Sequence, residues 1–153
     1  MTADNPRVRV PPPLFYALAL LLGFWLDRWW PLPVGDGLFI KVLATTLCVA
    51  SVALGASSIG MFRRSRTSIV PMRPASALVA AGPYRFTRNP MYVAFAVLTV
   101  ALGLFLNTIW PLLLLVPVLF VVQQFVILRE EEYLKRRFGA DYLAYMQRVR
   151  RWF

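Results

Sequence analysis

The stretch MYVAFAVLTVALGLFL (residues 91–106), NTI (107–109) and WPLLLLVPVLFVVQQFVIL (110–128) decides the fold class. Two nearly unbroken apolar runs, each close to the ~20 residues a helix needs to cross a hydrocarbon core of about 30 Å, flank a three-residue connection. The pattern predicts a helical hairpin inside a membrane. Pro111 suits the first turn of the second run, and Pro117 is expected to kink it. Upstream lie two further apolar runs, residues 14–30 and 38–62, giving four expected spans. Pro11-Pro12-Pro13 suits a helix start, and Trp25, Trp29 and Trp30 around Asp27 and Arg28 read as an interfacial belt. The first run is longer than a signal-peptide core, ends in bulky tryptophans and lacks a small-residue cleavage site, so it is expected to remain in the protein.

Composition agrees with the hairpin. Of 153 residues, 59% are hydrophobic and 16% charged, whereas charged residues approach about a quarter of a soluble domain. Lys+Arg total 17 against 7 Asp+Glu, a formal charge of +10. In so apolar a chain that excess points to a membrane surface and away from nucleic acid. All the cations except Arg28 and Lys41 fall in the N-terminus, the 63–90 segment and the tail, regions that four spans place on one side. The positive-inside rule makes that side cytoplasmic, with both termini there, and the compactness of the chain suggests a prokaryotic inner membrane. Many of these arginines serve topology and anionic lipid alone on the plainest reading. There is no histidine, which excludes His-based hydrolysis and the commonest metal ligand, so no metal site is expected. Cys48 reads as packing, as do the small residues Gly55, Ala56, Ser57, Ser58 and Gly60, which permit close helix contact. Neither a repeat nor a long linker divides the chain, so residues 1–153 read as one membrane domain with a cytoplasmic loop at 63–90 and a cap at 129–153.

Two segments carry chemistry. GPYRFTRNPMY (82–92) places two proline turns, two arginines, an amide and two tyrosines at the mouth of a span, where irregular backbone must be covered by protein or line a polar cavity. It fits a site for an anionic, partly aromatic ligand; the alternative is a loop whose arginines snorkel to lipid head groups. Glu130-Glu131-Glu132 follows the fourth span directly. Glu131 and Glu132 have cations four residues on, Lys135 and Arg136, whereas Glu130 faces Leu134 at that spacing and is the better candidate to meet a ligand. Leu134, Phe138, Tyr142, Tyr145 and Val149 recur every three or four residues, predicting an amphipathic helix against the membrane domain. Gly139 is expected to end its first half, with Asp141 capping the second. Gln123 and Gln124 either bond a neighbouring helix or face a substrate cavity.

Together, Gly82-Pro83-Tyr84-Arg85, Arg88-Asn89-Pro90-Met91-Tyr92, Glu130-Glu131, Tyr142, Tyr145 and Arg151-Trp152 resemble the isoprenylcysteine carboxyl methyltransferase and phospholipid methyltransferase superfamily, over about Thr67 to Trp152. The resemblance implies an all-α membrane fold and transfer of a methyl group from S-adenosyl-L-methionine to a small lipophilic acceptor. Asn89 stands where relatives carry His or Asn against the cofactor. Gly82, Pro83, Tyr84, Arg85, Arg88, Pro90, Met91 and Tyr92 would shape the same site, joined by Glu130 and Glu131, with Glu130 at the catalytic position. Val126 occupies a position that is arginine in the prenylcysteine branch, so that substrate is disfavoured; Val126, Gln123 and Gln124 are the candidate acceptor contacts. The alternatives are an NADPH-dependent membrane reductase and a non-enzymatic helical subunit or lipid-binding protein.

Overall fold

Pro12 and Pro13 preset the backbone of the first helical turn, and α1 (Pro13–Trp29) begins there. A computed structural model describes residues 10–68 and 74–152, and among these every regular element is helical. After α1 come α2 (Leu38–Arg64), a 3₁₀ turn (Gly82–Arg85), α3 (Pro90–Phe105), α4 (Trp110–Val122), a π turn (Gln123–Ile127) and α5 (Leu128–Arg148). Arg7, Arg9 and Arg73, three of the cations expected on the cytoplasmic side, lie outside the described residues.

The chain runs back and forth four times, and the first three helices lie within a few residues of their expected limits. The expected boundary at residue 129 is different: α4 continues through the π turn into α5 without a break. No glycine or proline stands between Val118 and Phe138, so nothing in the backbone stops the helix where its composition changes. The break comes at Gly139, whose φ of +52° interrupts α5. α2 and the Trp110–Arg148 run are long and apolar enough to cross a membrane; α1 and α3 have 17 and 16 residues.

α2 packs along α3, and α1 along α4. The small residues of α2 divide: a Cβ on Gly55 would rest 3.8 Å from that of Ala94, and Ser58 is fully buried, whereas Gly60 faces open space. At one end of the bundle the loop after α1 is tied to the turn between α3 and α4. Asp27 accepts a bond from Thr108 Oγ1 at 2.7 Å, Asn107 Oδ1 accepts from the Gly35 amide at 2.8 Å, and Trp110 Nε1 donates to the Trp30 carbonyl at 2.7 Å. Asp27 thus fastens the hairpin, while Trp25, Trp29 and Trp30 remain exposed beside it. Leu38, Phe39, Val49 and Val52 on α2 also stay exposed, an apolar outer surface suited to lipid.

α1 and α4 meet at Gly23, where a Cβ would come within 2.9–3.0 Å of the Pro111 ring. That ring cannot rotate away. Gly23→Ala is expected to lower stability by about 1–3 kcal/mol despite its better helix propensity, seen as a lower melting midpoint in detergent; Gly60→Ala should leave the midpoint unchanged or raise it.

Candidate functional site

The other end of the bundle, where α1 and α3 begin and α2 ends, is built around charge. Pro90 fixes the first turn of α3, and the residues before it are held from several directions. The 3₁₀ turn buries Tyr84 against the edge of Phe62, and its carbonyl accepts a 2.7 Å bond from Tyr145 on α5. Gly82 has φ +59°, a left-handed conformation that favours glycine, and a Cβ there would approach Met61 Sδ to 2.9 Å, so the methionine would have to shift.

Glu131 is the centre of the site. Its side chain is 6% exposed, and it meets Arg88 Nη2 at 2.7 Å through Oε1. Arg151 grips the same carboxylate at two points, Nε to Oε1 at 2.9 Å and Nη2 to Oε2 at 2.8 Å. Around this ion triad the tail is strapped to the start of α3. The Arg88 amide donates to the Arg150 carbonyl, Thr87 Oγ1 and Asn89 Nδ2 both donate to the Arg151 carbonyl at 3.0 Å, and Arg88 Nη1 reaches the Val149 carbonyl at 3.1 Å. Trp152 Nε1 adds a 2.9 Å bond to Gln123 Oε1. Burial alone would raise the pKa of Glu131, but the bonds from Arg151 and Arg88 outweigh it and hold the carboxyl below its ordinary value.

Beside the triad lies a cavity of about 440 Å³, within the roughly 300–1,000 Å³ of small-molecule sites. Its walls are mostly apolar and aromatic, from Pro12, Phe62, Val79, Phe95, Leu134 and Tyr142, and its polar groups are gathered at Arg88, Asn89, Tyr92, Glu130 and Glu131. Glu130 lies past Leu128, where the apolar stretch ends. Its Oε1 accepts a 2.8 Å bond from the Tyr92 hydroxyl. Burial raises its pKa to about 7; the Tyr92 bond opposes this and the charge of Glu131 adds to it. Two successive glutamates therefore differ: Glu131 is a paired anion, whereas the pKa of Glu130 is pushed up to about 7. Arg88 also lines the cavity, and its buried Nε has no hydrogen-bond partner among the described residues.

The sequence-predicted residues separate into three groups. Tyr84, Arg88, Asn89, Met91, Tyr92, Glu130 and Glu131 line the one cavity. Gly82, Pro83, Arg85 and Pro90 shape the backbone that leads to it, with Arg85 exposed and Pro90 buried. Gln123 lines a separate cavity of about 350 Å³ with Val93, Ala96 and Trp152, Gln124 is exposed, and Val126 is buried in the apolar core. Sequence reasoning missed Tyr133, whose hydroxyl accepts from the Ala75 amide at 2.9 Å, and the part played by Arg151. Tyr133 breaks the apolar spacing of its helix, and Arg151 is one cation among many, so neither stands out.

A family model described as phospholipid methyltransferase matches residues 39–141. The chain is also 39% identical over 62 residues to an uncharacterized protein of Haemophilus influenzae, a match covering 40% of this chain and 98% of that protein.

Glu131→Leu would leave Arg88, with 8% of its side chain exposed, beside a lost counter-ion. The expected loss is about 3–5 kcal/mol, measurable as a lower denaturation midpoint in detergent. Because the folded carboxyl titrates below its ordinary value of 4.5, its stabilisation is present above that value and is lost as pH falls through the depressed one. Acid titration of the wild type should thus show a destabilisation below about pH 4.5 that Glu131→Leu lacks.

Proposed function

The chain belongs to the phospholipid methyltransferase family, and from that premise we propose that it transfers a methyl group from S-adenosyl-L-methionine to a small lipophilic, lipid- or isoprenoid-like acceptor. The observation that carries this reading is the mostly apolar cavity with its polar groups gathered around Glu130. The residues present suit the cofactor. The unpartnered Arg88 Nε offers a donor to a carboxylate, and Asn89 lies beside it. The Glu130 and Glu131 carboxylates favour an ammonium or sulfonium charge. Tyr84, Tyr142 and Tyr145 offer aromatic faces to a cation or a purine ring. When bound, the cofactor supplies an already activated methyl group, which leaves the protein mainly the work of positioning.

Arg88, Asn89 and Tyr92 hold and orient, and the apolar walls exclude water. Glu130 accepts the proton that an amine or hydroxyl acceptor must lose, while Tyr92 holds one of its oxygens at 2.8 Å. A carboxylate acceptor would need no such base. In this reading residues 1–153 form one membrane domain in a prokaryotic inner membrane. α1 and α3 complete four spans, α5 lies at the cytoplasmic surface with both termini, and the acceptor enters from the bilayer while the cofactor enters from water. The exposed apolar faces of α2 and the concentration of cations at the cavity end support this arrangement.

The test is calorimetric binding of S-adenosyl-L-methionine to detergent-solubilised protein, followed by labelled-methyl transfer into extracted membrane lipids with mass analysis of the product. Glu130→Gln should cut turnover by about 10²–10⁴-fold with a smaller effect on cofactor binding. With an amine or hydroxyl acceptor the wild-type rate should rise with pH through about 7 and then level off, as Glu130 loses its proton; a carboxylate acceptor would give a flat profile. A wild-type protein that neither binds the cofactor nor transfers the methyl group overturns the reading.

A further inference from the structure

We propose that Arg151, in the tail after α5, is a positioning residue for the reaction: its two-point grip on Glu131 fixes the turn of α5 that aims Glu130 into the cavity and screens Glu130 from the charge beside it. The inference rests on the reading of Glu130 as the proton acceptor.

The geometry is a short lever. Glu130 and Glu131 are consecutive, so their side chains leave α5 about 100° apart, and fixing one direction fixes the other. Glu131 is turned toward the start of α3 by Arg88 on one side and by Arg151 on the other. That orientation leaves Glu130 directed at Tyr92, in the first turn of α3, where it accepts the 2.8 Å bond. A guanidinium held through two parallel N–H···O bonds locks both rotation and tilt of a carboxylate, which a single-point cation cannot do. Arg151 is itself fixed, since its carbonyl receives Thr87 Oγ1 and Asn89 Nδ2 and its neighbour Trp152 is bonded to Gln123. Of the two cations on Glu131, Arg151 is the more accessible, with 32% of its side chain exposed against 8% for Arg88, so it can be changed with less damage to the interior.

The electrostatic consequence has a definite sign. The groups around Glu130 are Tyr92 on α3, Tyr84 on the 3₁₀ turn, and Glu131 and Tyr142 on α5, with Arg88 bonded to Glu131. Glu131 is the neighbouring anion, and its field makes ionisation of Glu130 harder. Arg151 cancels part of that field. Removing the cation while leaving Glu131 in place should therefore make Glu130 hold its proton to higher pH.

The experiment compares wild type, Arg151→Met and Arg151→Lys in lipid nanodiscs. Ionisation of Glu130 is followed by the infrared carboxylic-acid band that Glu130→Gln removes, and methyl transfer is measured across the same pH range. For Arg151→Met the infrared midpoint and the acidic limb of the rate profile should both move upward by on the order of one pH unit. Turnover at pH 7 should fall about fivefold from that shift, with KM for S-adenosyl-L-methionine changed less than turnover. Arg151→Lys keeps the charge but loses the fork, so its midpoint should stay near wild type while its pH-independent turnover falls. If Arg151→Met does not fold, Arg151→Gln replaces it, and Arg151→Lys tests the grip by itself. An unmoved midpoint in the neutral variants, or full pH-independent turnover in Arg151→Lys, overturns the proposal. A wild type that transfers no methyl group overturns the reading of Glu130 as base, while the infrared midpoints still decide whether Arg151 governs its charge.

Discussion

One buried carboxylate between two guanidiniums holds together three parts of the chain that are far apart in sequence. Arg88 precedes α3, Glu131 lies in α5 and Arg151 follows it, yet their charged atoms meet within 2.7–2.9 Å. Bringing these groups out of water is unfavourable, and their attraction offsets that only because most of the remaining hydrogen-bonding positions, Arg88 Nε excepted, are also filled. Arg88 Nη1 donates to the Val149 and Met146 carbonyls, and the Arg88 backbone amide donates to the Arg150 carbonyl. The contribution of such a network lies less in net stability than in selecting one arrangement, because any slip of the tail leaves a buried charge unpaired.

The same network separates the roles of two adjacent glutamates. Glu131 has two cations and stays ionised, whereas Glu130 has a tyrosine hydroxyl and apolar surroundings, and its pKa rises to about 7. Identical side chains one residue apart thus acquire opposite tendencies from the helix faces they occupy. The π turn immediately upstream, Gln123–Ile127, belongs to the same design. Such turns add a residue to a helical ladder and rotate everything beyond them, so the face that α5 presents to the cavity depends on it.

The two ends of the bundle are held by different forces. The far end uses neutral and singly charged bonds among Asp27, Thr108, Asn107 and Trp110, which tie the loop after α1 to the turn between α3 and α4. The near end uses a dense charge network and leaves about 440 Å³ open beside it. A rigid hairpin fixed at one end and a strapped tail at the other give the cavity stable walls without lengthening any helix.

What the residues alone determine here is local and periodic. Long apolar runs bounded by proline, glycine and polar residues dictate helices, because an unpaired backbone cannot lie in lipid, and α1, α2 and α3 lie close to where those runs place them. The motif at residues 82–92 and the glutamates after Leu128 were likewise legible as chemistry, since polar groups at the mouth of an apolar run call for a partner. The tertiary structure alone decided who that partner was. Glu131, paired four residues on with Lys135 by helix spacing, is held by Arg88 and Arg151 from 43 and 20 residues away, and Asn89 gives its amide to the tail. The continuous passage from α4 into α5 was equally hidden, because a π turn has no composition of its own. Periodicity reports which face of a helix is apolar; which distant charge meets that face depends on the packing of helices around it, and no local pattern records it.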